Sequence, residues 1–263
     1  MSLSLPRVLF IGNSHLGALR LAHAAQPERW PGWDIYFLGV LANRLGELDL
    51  RGDRLVPMTD AARWQLRYYN HVPSLDIAGF DAFVIAGGVS WIRMAAICAD
   101  HRSLDFPSIA AGDSRPQLVG RSFLQQALHA RLAQSSAGKL LSRIAGLGKP
   151  VVVVPEPMLS ADAAQDADRY AIYLDLIARG DADHWLDVFR QARERVFGAS
   201  ARVIDWPDEA LVGRFYTDPR FMRGSRRLAP VDGAAHPDDD YEHANAAYGA
   251  LVMDQAWSAL RNG

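Results

Sequence analysis

Short apolar runs alternate along this chain with longer stretches of helical spacing, and this alternation constrains the fold more than any other feature. The runs, bounded by Gly, Pro or polar residues, are Val8–Ile11, Ile35–Leu38, Phe83–Ala86, Val151–Val154 and Val203–Ile204. The helical stretches are Leu16–Ala25, Gly120–Ala145, His184–Val196 and Ala244–Leu260. The pattern predicts a three-layer α/β/α fold with a five-stranded, mostly parallel sheet.

The length of the chain favours one domain. With 263 residues, 49% of them hydrophobic, it can bury one substantial core, so we expect a single domain over residues 1–263. Residues 99–118, which include the polar stretch Asp100–Pro116, are predicted to form an irregular insertion loop.

The charge balance excludes several classes of partner. There are 28 basic and 30 acidic residues, a net charge of -2, so no overall field attracts nucleic acid or an anionic membrane. We find neither a signal peptide nor a membrane span and expect a cytoplasmic protein. The single cysteine, Cys98, lies in an apolar run and is interpreted as a buried hydrophobe. The oligomeric state stays open.

Ligands of an open parallel sheet bind at the carboxyl ends of its strands, and the residues found there suggest acyl chemistry. Ser14 follows the first strand in Gly12-Asn13-Ser14 and precedes a helix, whose N–H groups would polarise its hydroxyl. A serine needs a base, and the base needs an orienting acceptor. Asp240 and His243, three residues apart ahead of the final helix, supply both residue types.

At both ends the sequence resembles the SGNH/GDSL hydrolase family. Ile11-Gly12-Asn13-Ser14 is similar to the family's Gly-Asp-Ser block, with Asn13 in place of Asp. Asp240-Tyr241-Glu242-His243 is similar to its terminal Asp-x-x-His block. The resemblance implies a flavodoxin-like sheet, with Ser14 as nucleophile, His243 as base and Asp240 as the partner of the base.

The resemblance also implies where an oxyanion would bind. Gly39, after the second strand, matches a family donor, and the Ser14 N–H would be another. After the third strand the family has Gly-x-Asn, whereas this chain has Gly87-Gly88-Val89, with valine in the asparagine position. Removing one such donor typically costs about 3 to 4 kcal/mol of transition-state stabilisation. Three other side chains are candidates for the missing donor: Asn13, Asn43 and Ser90. Three residues are candidates for the pocket wall: Gly87, Gly88 and Trp91.

Two other motifs compete with the assignment of Ser14 and His243, and a basic cluster has no assigned role. Gly112-Asp113-Ser114 matches the family's letters better than Gly12-Asn13-Ser14, but no strand precedes it. Asp232 and His236 form a second carboxylate–histidine pair, so His236 is a rival for the role of base. A basic cluster near the end of the chain, whose role stays open, contains Arg220, Arg223, Arg226 and Arg227.

These observations together predict a serine esterase that acts on a small-molecule or carbohydrate ester through an acyl-enzyme on Ser14. An O-acyltransferase uses the same first half-reaction, and a non-catalytic binding module of the same fold is the other alternative. We expect no cofactor and no metal, since no recognisable ligand spacing is present.

Overall fold

The structure, a computed structural model, describes residues 5–230 and 233–262. The strands are β1 Arg7–Gly12, β2 Asp34–Gly39, β3 Leu48–Arg51, β4 Arg54–Pro57, β5 Leu75–Asp76, β6 Ala82–Ala86, β7 His101–Arg102, β8 Gln117–Leu118, β9 Val151–Val154, β10 Arg202–Val203, β11 Leu211–Val212 and β12 Tyr216–Thr217. The helices are α1 Leu16–Ala25, α2 Asp60–Asn70, α3 Trp91–Met94, α4 Pro107–Ala110, α5 Arg121–Ala133, α6 Ser136–Ile144, α7 Ala171–Ala178, α8 Ala182–Phe197 and α9 Ala246–Arg261.

Five parallel strands form the central sheet within the described residues, in the spatial order β2-β1-β6-β9-β10. Each of them matches a predicted apolar run to within one residue at either end, and the predicted α/β fold is confirmed. The chain order reverses between β1 and β6, and such a switch point is where open α/β sheets bind their ligands.

The two faces of the sheet belong to two separate hydrophobic cores, because successive side chains of a strand point to opposite faces. In β1, Val8 and Phe10 pack in the core that contains residues of α1 and α9. Leu9 and Ile11 pack in the other core, with residues of α5, α6 and α8. Helices on both faces therefore bury the central strands.

The predicted helix over Gly120–Ala145 is wrong as a single helix. It is two helices, α5 and α6, because the Ser135 side chain accepts a hydrogen bond from Gly138 N and begins a second helix. Residues 41–81, for which the sequence suggested no elements, hold α2 and the small antiparallel sheet of β3, β4 and β5.

The insertion loop is more ordered than its composition predicted. It holds α4 and the two-residue pair of β7 with β8. Arg102 and Asp181 are both buried and form an ion pair with 3.0 Å between Nε and Oδ2. Ser108 donates to Asp181 through its backbone N–H and its hydroxyl. The loop is thereby attached to the start of α8.

Cys98 is buried, as expected, and burial raises the pKa of its thiol to about 12. No helix in the described part of the chain combines the length and apolarity needed to cross a bilayer.

Candidate active site

Ser14 lies in the turn between β1 and α1, at the switch point of the sheet. Gly12 makes the sharp turn possible, since a Cβ there would lie 2.5 Å from the Ala86 carbonyl oxygen. The next residue, Asn13, donates its backbone N–H to the same oxygen. Although Ser14 precedes a helix, its side chain does not cap that helix. Its hydroxyl is left to another partner.

That partner is His243. The distance from Ser14 Oγ to His243 Nε2 is 2.9 Å, and His243 Nδ1 lies 2.9 Å from Asp240 Oδ2. Asp240 Oδ1 also accepts the backbone N–H groups of Glu242 and His243, which closes the loop ahead of α9. Although burial alone raises the pKa of Asp240, hydrogen bonds from His236 and His243 outweigh it and lower that pKa far below its ordinary value.

The start of α9 fixes the position of His243. Asn245 caps the helix by accepting hydrogen bonds from Ala247 N and Tyr248 N. Its amide nitrogen donates to the carbonyls of Arg220 and Arg223. The cap therefore joins the histidine loop to the preceding segment of the chain.

The rival histidine, His236, also contacts Asp240. Its Nδ1 lies 2.7 Å from Asp240 Oδ2, and its ring stacks on that of His243 with 4.1 Å between centroids. It is His243, however, that contacts Ser14. Asp232, the carboxylate that the sequence paired with His236, lies outside the described residues.

A buried carboxylate lies behind the serine turn. Glu156 Oε1 accepts hydrogen bonds from Asn13 Nδ2 and Gly88 N, both at 3.0 Å. Burial opposes its ionisation, but His15, Arg93 and these hydrogen bonds together lower the pKa of Glu156. Burial lowers the pKa of His15 to about 4, despite Glu156 at 3.6 Å, so His15 is neutral at pH 7.

Gly39 does not match its predicted role. Its N–H donates to Asn70 Oδ1 at 2.7 Å, and its carbonyl accepts from Asn70 Nδ2. Leu228 covers it, because a Cβ on Gly39 would lie 2.5 Å from a Leu228 methyl group. In this structure the Gly39 amide is not available to an oxyanion.

Other backbone donors remain near Ser14. The Ser14 N–H makes no hydrogen bond with any described residue. Ala42 and Asn43 line the same cavity as Ser14, and Ala42 has a positive φ of 53°, which non-glycine residues rarely adopt. The Ala42 and Asn43 N–H groups likewise have no partner in the described part of the chain. These groups are the candidates for an oxyanion hole.

The three predicted pocket residues do not line the cavity around Ser14. The Gly87 and Gly88 N–H groups donate to Val154 O and Glu156 Oε1. Trp91 is buried in the core against Tyr173. From the sequence, Glu156 was a site candidate only as part of Pro155-Glu156-Pro157 after the fourth apolar run, and its support of the serine turn was not predicted.

The cavity beside Ser14 has a volume of about 420 Å³ and is partly charged. Arg93 and Arg227 line it. The basic cluster is thus divided by the fold, because Arg220 and Arg223 pair with Asp218 and Asp162.

The alternative motif Gly112-Asp113-Ser114 follows α4 rather than a strand of the central sheet. Asp113 is engaged by Arg115 and Arg179. No feature of this loop resembles the arrangement around Ser14.

Among the described residues, one group has the chemistry of a metal site, and its members are His236, Asp240 and His243. Both Nδ1 atoms lie at hydrogen-bonding distance from the Asp240 carboxylate. We therefore interpret the group as a hydrogen-bonded network. The absence of a metal requirement stays a prediction.

Ser14, His243 and Asp240 have the geometry of a Ser-His-Asp triad, in which a carboxylate orients an imidazole toward a serine hydroxyl. Comparison with protein-family models and with curated proteins finds no match to this chain.

Proposed function

We propose that this protein hydrolyses carboxylic esters through an acyl-enzyme on Ser14. The observation that carries the proposal is the continuous hydrogen-bonded chain from Ser14 Oγ through His243 to Asp240, opening into a cavity at the sheet's switch point. The resemblance of both chain ends to SGNH/GDSL hydrolase blocks supports the same chemistry.

The reaction follows from the positions of the three side chains. Ser14 Oγ attacks the acyl carbonyl while its proton passes to His243 Nε2, and Asp240 stabilises the resulting imidazolium. The Ser14, Ala42 and Asn43 N–H groups are the proposed donors to the oxyanion. His243 then gives the proton to the departing alcohol, and the acyl group stays on Ser14. Water repeats the two steps and releases the acid.

The proposed substrate is a small ester or an O-acylated carbohydrate, since the cavity holds a ligand of modest size. Transfer to an alcohol instead of water would make the protein an O-acyltransferase by the same acyl-enzyme. Product analysis with an added sugar acceptor separates the two reactions.

The test is hydrolysis of p-nitrophenyl acetate and butyrate by the wild type and matched variants. We expect Ser14→Ala and His243→Ala to lower kcat by about 10⁴-fold or more, because the three groups act as a unit. Asp240→Asn should cost about as much, since it favours the wrong histidine tautomer. Asp239→Asn, at an exposed neighbouring carboxylate, is the control and should retain activity.

Equal rates for the wild type and Ser14→Ala would contradict the proposal. If Ser14 then also failed to react with an organophosphonate, the protein would be a binding module rather than an esterase.

A further inference from the structure

The carboxylate of the proposed triad, Asp240, accepts hydrogen bonds from two histidines. Asp240 Oδ2 lies 2.7 Å from His236 Nδ1 and 2.9 Å from His243 Nδ1. An ionised carboxylate only accepts hydrogen bonds, so each Nδ1 carries a hydrogen. His243 Nε2 is then free to accept the Ser14 proton.

His236 itself is not placed to take that proton. Its Nε2 is buried and has no hydrogen-bond partner among the described residues. The nitrogen that does have a partner faces Asp240, on the side of the triad remote from Ser14. His236 also lines the cavity beside Ser14, but its contacts with the triad are those with Asp240 and His243.

The ring of His236 restrains His243 as well. Its centroid lies 4.1 Å from that of His243, with 12° between the planes. His15 stacks on His243 at 4.7 Å and 16°. The base is thus held within a stack of three imidazoles. A rotation of the His243 ring out of line with Ser14 would require one neighbour to move.

A separate part of the chain holds His236 in place. Its backbone N–H donates to Ser225 O, and the neighbouring residues Arg226 and Ala235 form an antiparallel bridge. His236 is therefore anchored to the Ser225–Arg226 segment, and the next residue, Pro237, accepts the Asp240 backbone N–H through its carbonyl. Asp240 is fixed from one side by its own loop and from the other by His236.

We propose that His236 is a positioning residue of this site, whose Nδ1–H fixes the Asp240 carboxylate and whose ring keeps His243 Nε2 on Ser14. The inference rests on the proposed esterase function. Groups that orient the ligands of a metal site typically contribute about 10- to 100-fold to activity, and we expect the same range for a group that orients the triad carboxylate.

Three substitutions separate the hydrogen bond from the ring. His236→Asn keeps an N–H donor near the Nδ1 position without the ring, and His236→Phe keeps a ring without the donor. His236→Ala removes both. The control is His129→Ala, at an exposed histidine of α5. Rates of p-nitrophenyl acetate hydrolysis are normalised to folded protein by circular dichroism.

We expect His236→Ala to lower kcat about 10- to 100-fold with KM within about twofold of the wild type. His236→Asn should recover most of the loss, and His236→Phe a smaller part. The inference is overturned if His236→Ala retains the wild-type kcat, if only KM changes, or if Asn rescues no better than Ala. A loss as complete as in His243→Ala would also overturn it, because a positioning residue should leave a residual rate.

A second measurement does not need turnover. The downfield proton resonance of His243 Nδ1–H, distinguished from that of His236 by its absence in His243→Ala, reports the hydrogen bond of His243 to Asp240. We expect the resonance in the wild type and His236→Asn, and its loss by solvent exchange in His236→Ala. An unchanged resonance in His236→Ala overturns the inference. If the wild type shows no Ser14-dependent hydrolysis, the esterase proposal fails by itself, and this resonance still decides whether His236 positions His243.

Discussion

Ser14 differs from the other serines that precede helices in what its hydroxyl contacts. Ser90 and Ser135 each accept a backbone N–H of the following helix through their side chains. Ser14 Oγ instead lies 2.9 Å from His243 Nε2, and α1 has no side-chain cap. Capping is the commoner role of such a serine, so its absence here frees the hydroxyl for another use.

The neutral state of His15 predicts a pH dependence of stability. Its pKa is about 4 in the folded protein and about 6.5 when unfolded. Because the folded pKa is the lower one, the unfolded chain binds more protons between these values, and stability falls as the pH drops from 6.5 to 4.

We expect this one group to remove about 3 kcal/mol of stability across that window. The measurement is urea unfolding of the wild type and His15→Gln at pH 7 and pH 4. The stability of the wild type relative to His15→Gln should decrease by that amount at the lower pH. A difference that does not change with pH would mean that His15 titrates normally in the fold.

At the residue scale, the sequence could predict Ser14, Asp240 and His243 because each follows a recognisable strand or precedes a helix. It could not predict that the Asn70 side chain accepts the hydrogen bond of the Gly39 N–H, since 31 residues separate the two and no local pattern links them. The hydrogen bond from the Asn13 side chain to Glu156, 143 residues away, could not be predicted for the same reason.

At the element scale, the contact between α1 and α9 holds the two halves of the site together. α1 begins just after Ser14 and α9 just after His243. Gly249 allows the two helices to approach, because a Cβ there would lie 2.2 Å from the Ala18 carbonyl oxygen. Any side chain at this position must push the helices apart.

Gly249→Ala should therefore destabilise the protein by about 1 to 3 kcal/mol, the usual cost of overpacking a tight contact. It should also lower esterase activity, because the distance between Ser14 and His243 depends on the helix spacing. Gly146→Ala is the control, since a Cβ there meets no atom within 4 Å. Urea denaturation and p-nitrophenyl acetate hydrolysis check both effects. Equal behaviour of the two variants would show that this contact does not set the geometry.

The sequence predicted buried strands well because each is a short, continuous apolar run such as Val151–Val154. It missed the two-residue strands outside the central sheet, such as β7 and β8, because their pairing depends on tertiary position rather than on any local period. It also missed the break between α5 and α6, because the helical spacing of apolar residues continues through the Ser135 cap.

At the scale of the whole molecule, a buried ion pair attaches the insertion to the main fold. Asp181 is fully buried and accepts hydrogen bonds from Arg102 and Ser108. Removing one partner of a buried pair leaves the other charge without compensation, which typically costs about 3 to 5 kcal/mol.

We predict that Asp181→Ala lowers the free energy of unfolding by about 3 to 5 kcal/mol, measured by chemical denaturation. The control is Asp187→Ala, at an exposed position of α8, the helix that begins directly after Asp181. It should change the free energy of unfolding by less than about 0.5 kcal/mol. A loss in Asp181→Ala no larger than in this control would mean that the insertion is held by other contacts.

In the proposed mechanism, His243 and Asp240 activate Ser14 as a nucleophile. We would test this activation by the reaction of the intact protein with an organophosphonate, followed by mass-spectrometric mapping of the modified peptide. We predict one adduct on Ser14, no labelling in Ser14→Ala and much slower labelling in His243→Ala. A wild-type Ser14 that stays unmodified, or one that reacts equally fast without His243, would contradict the claim.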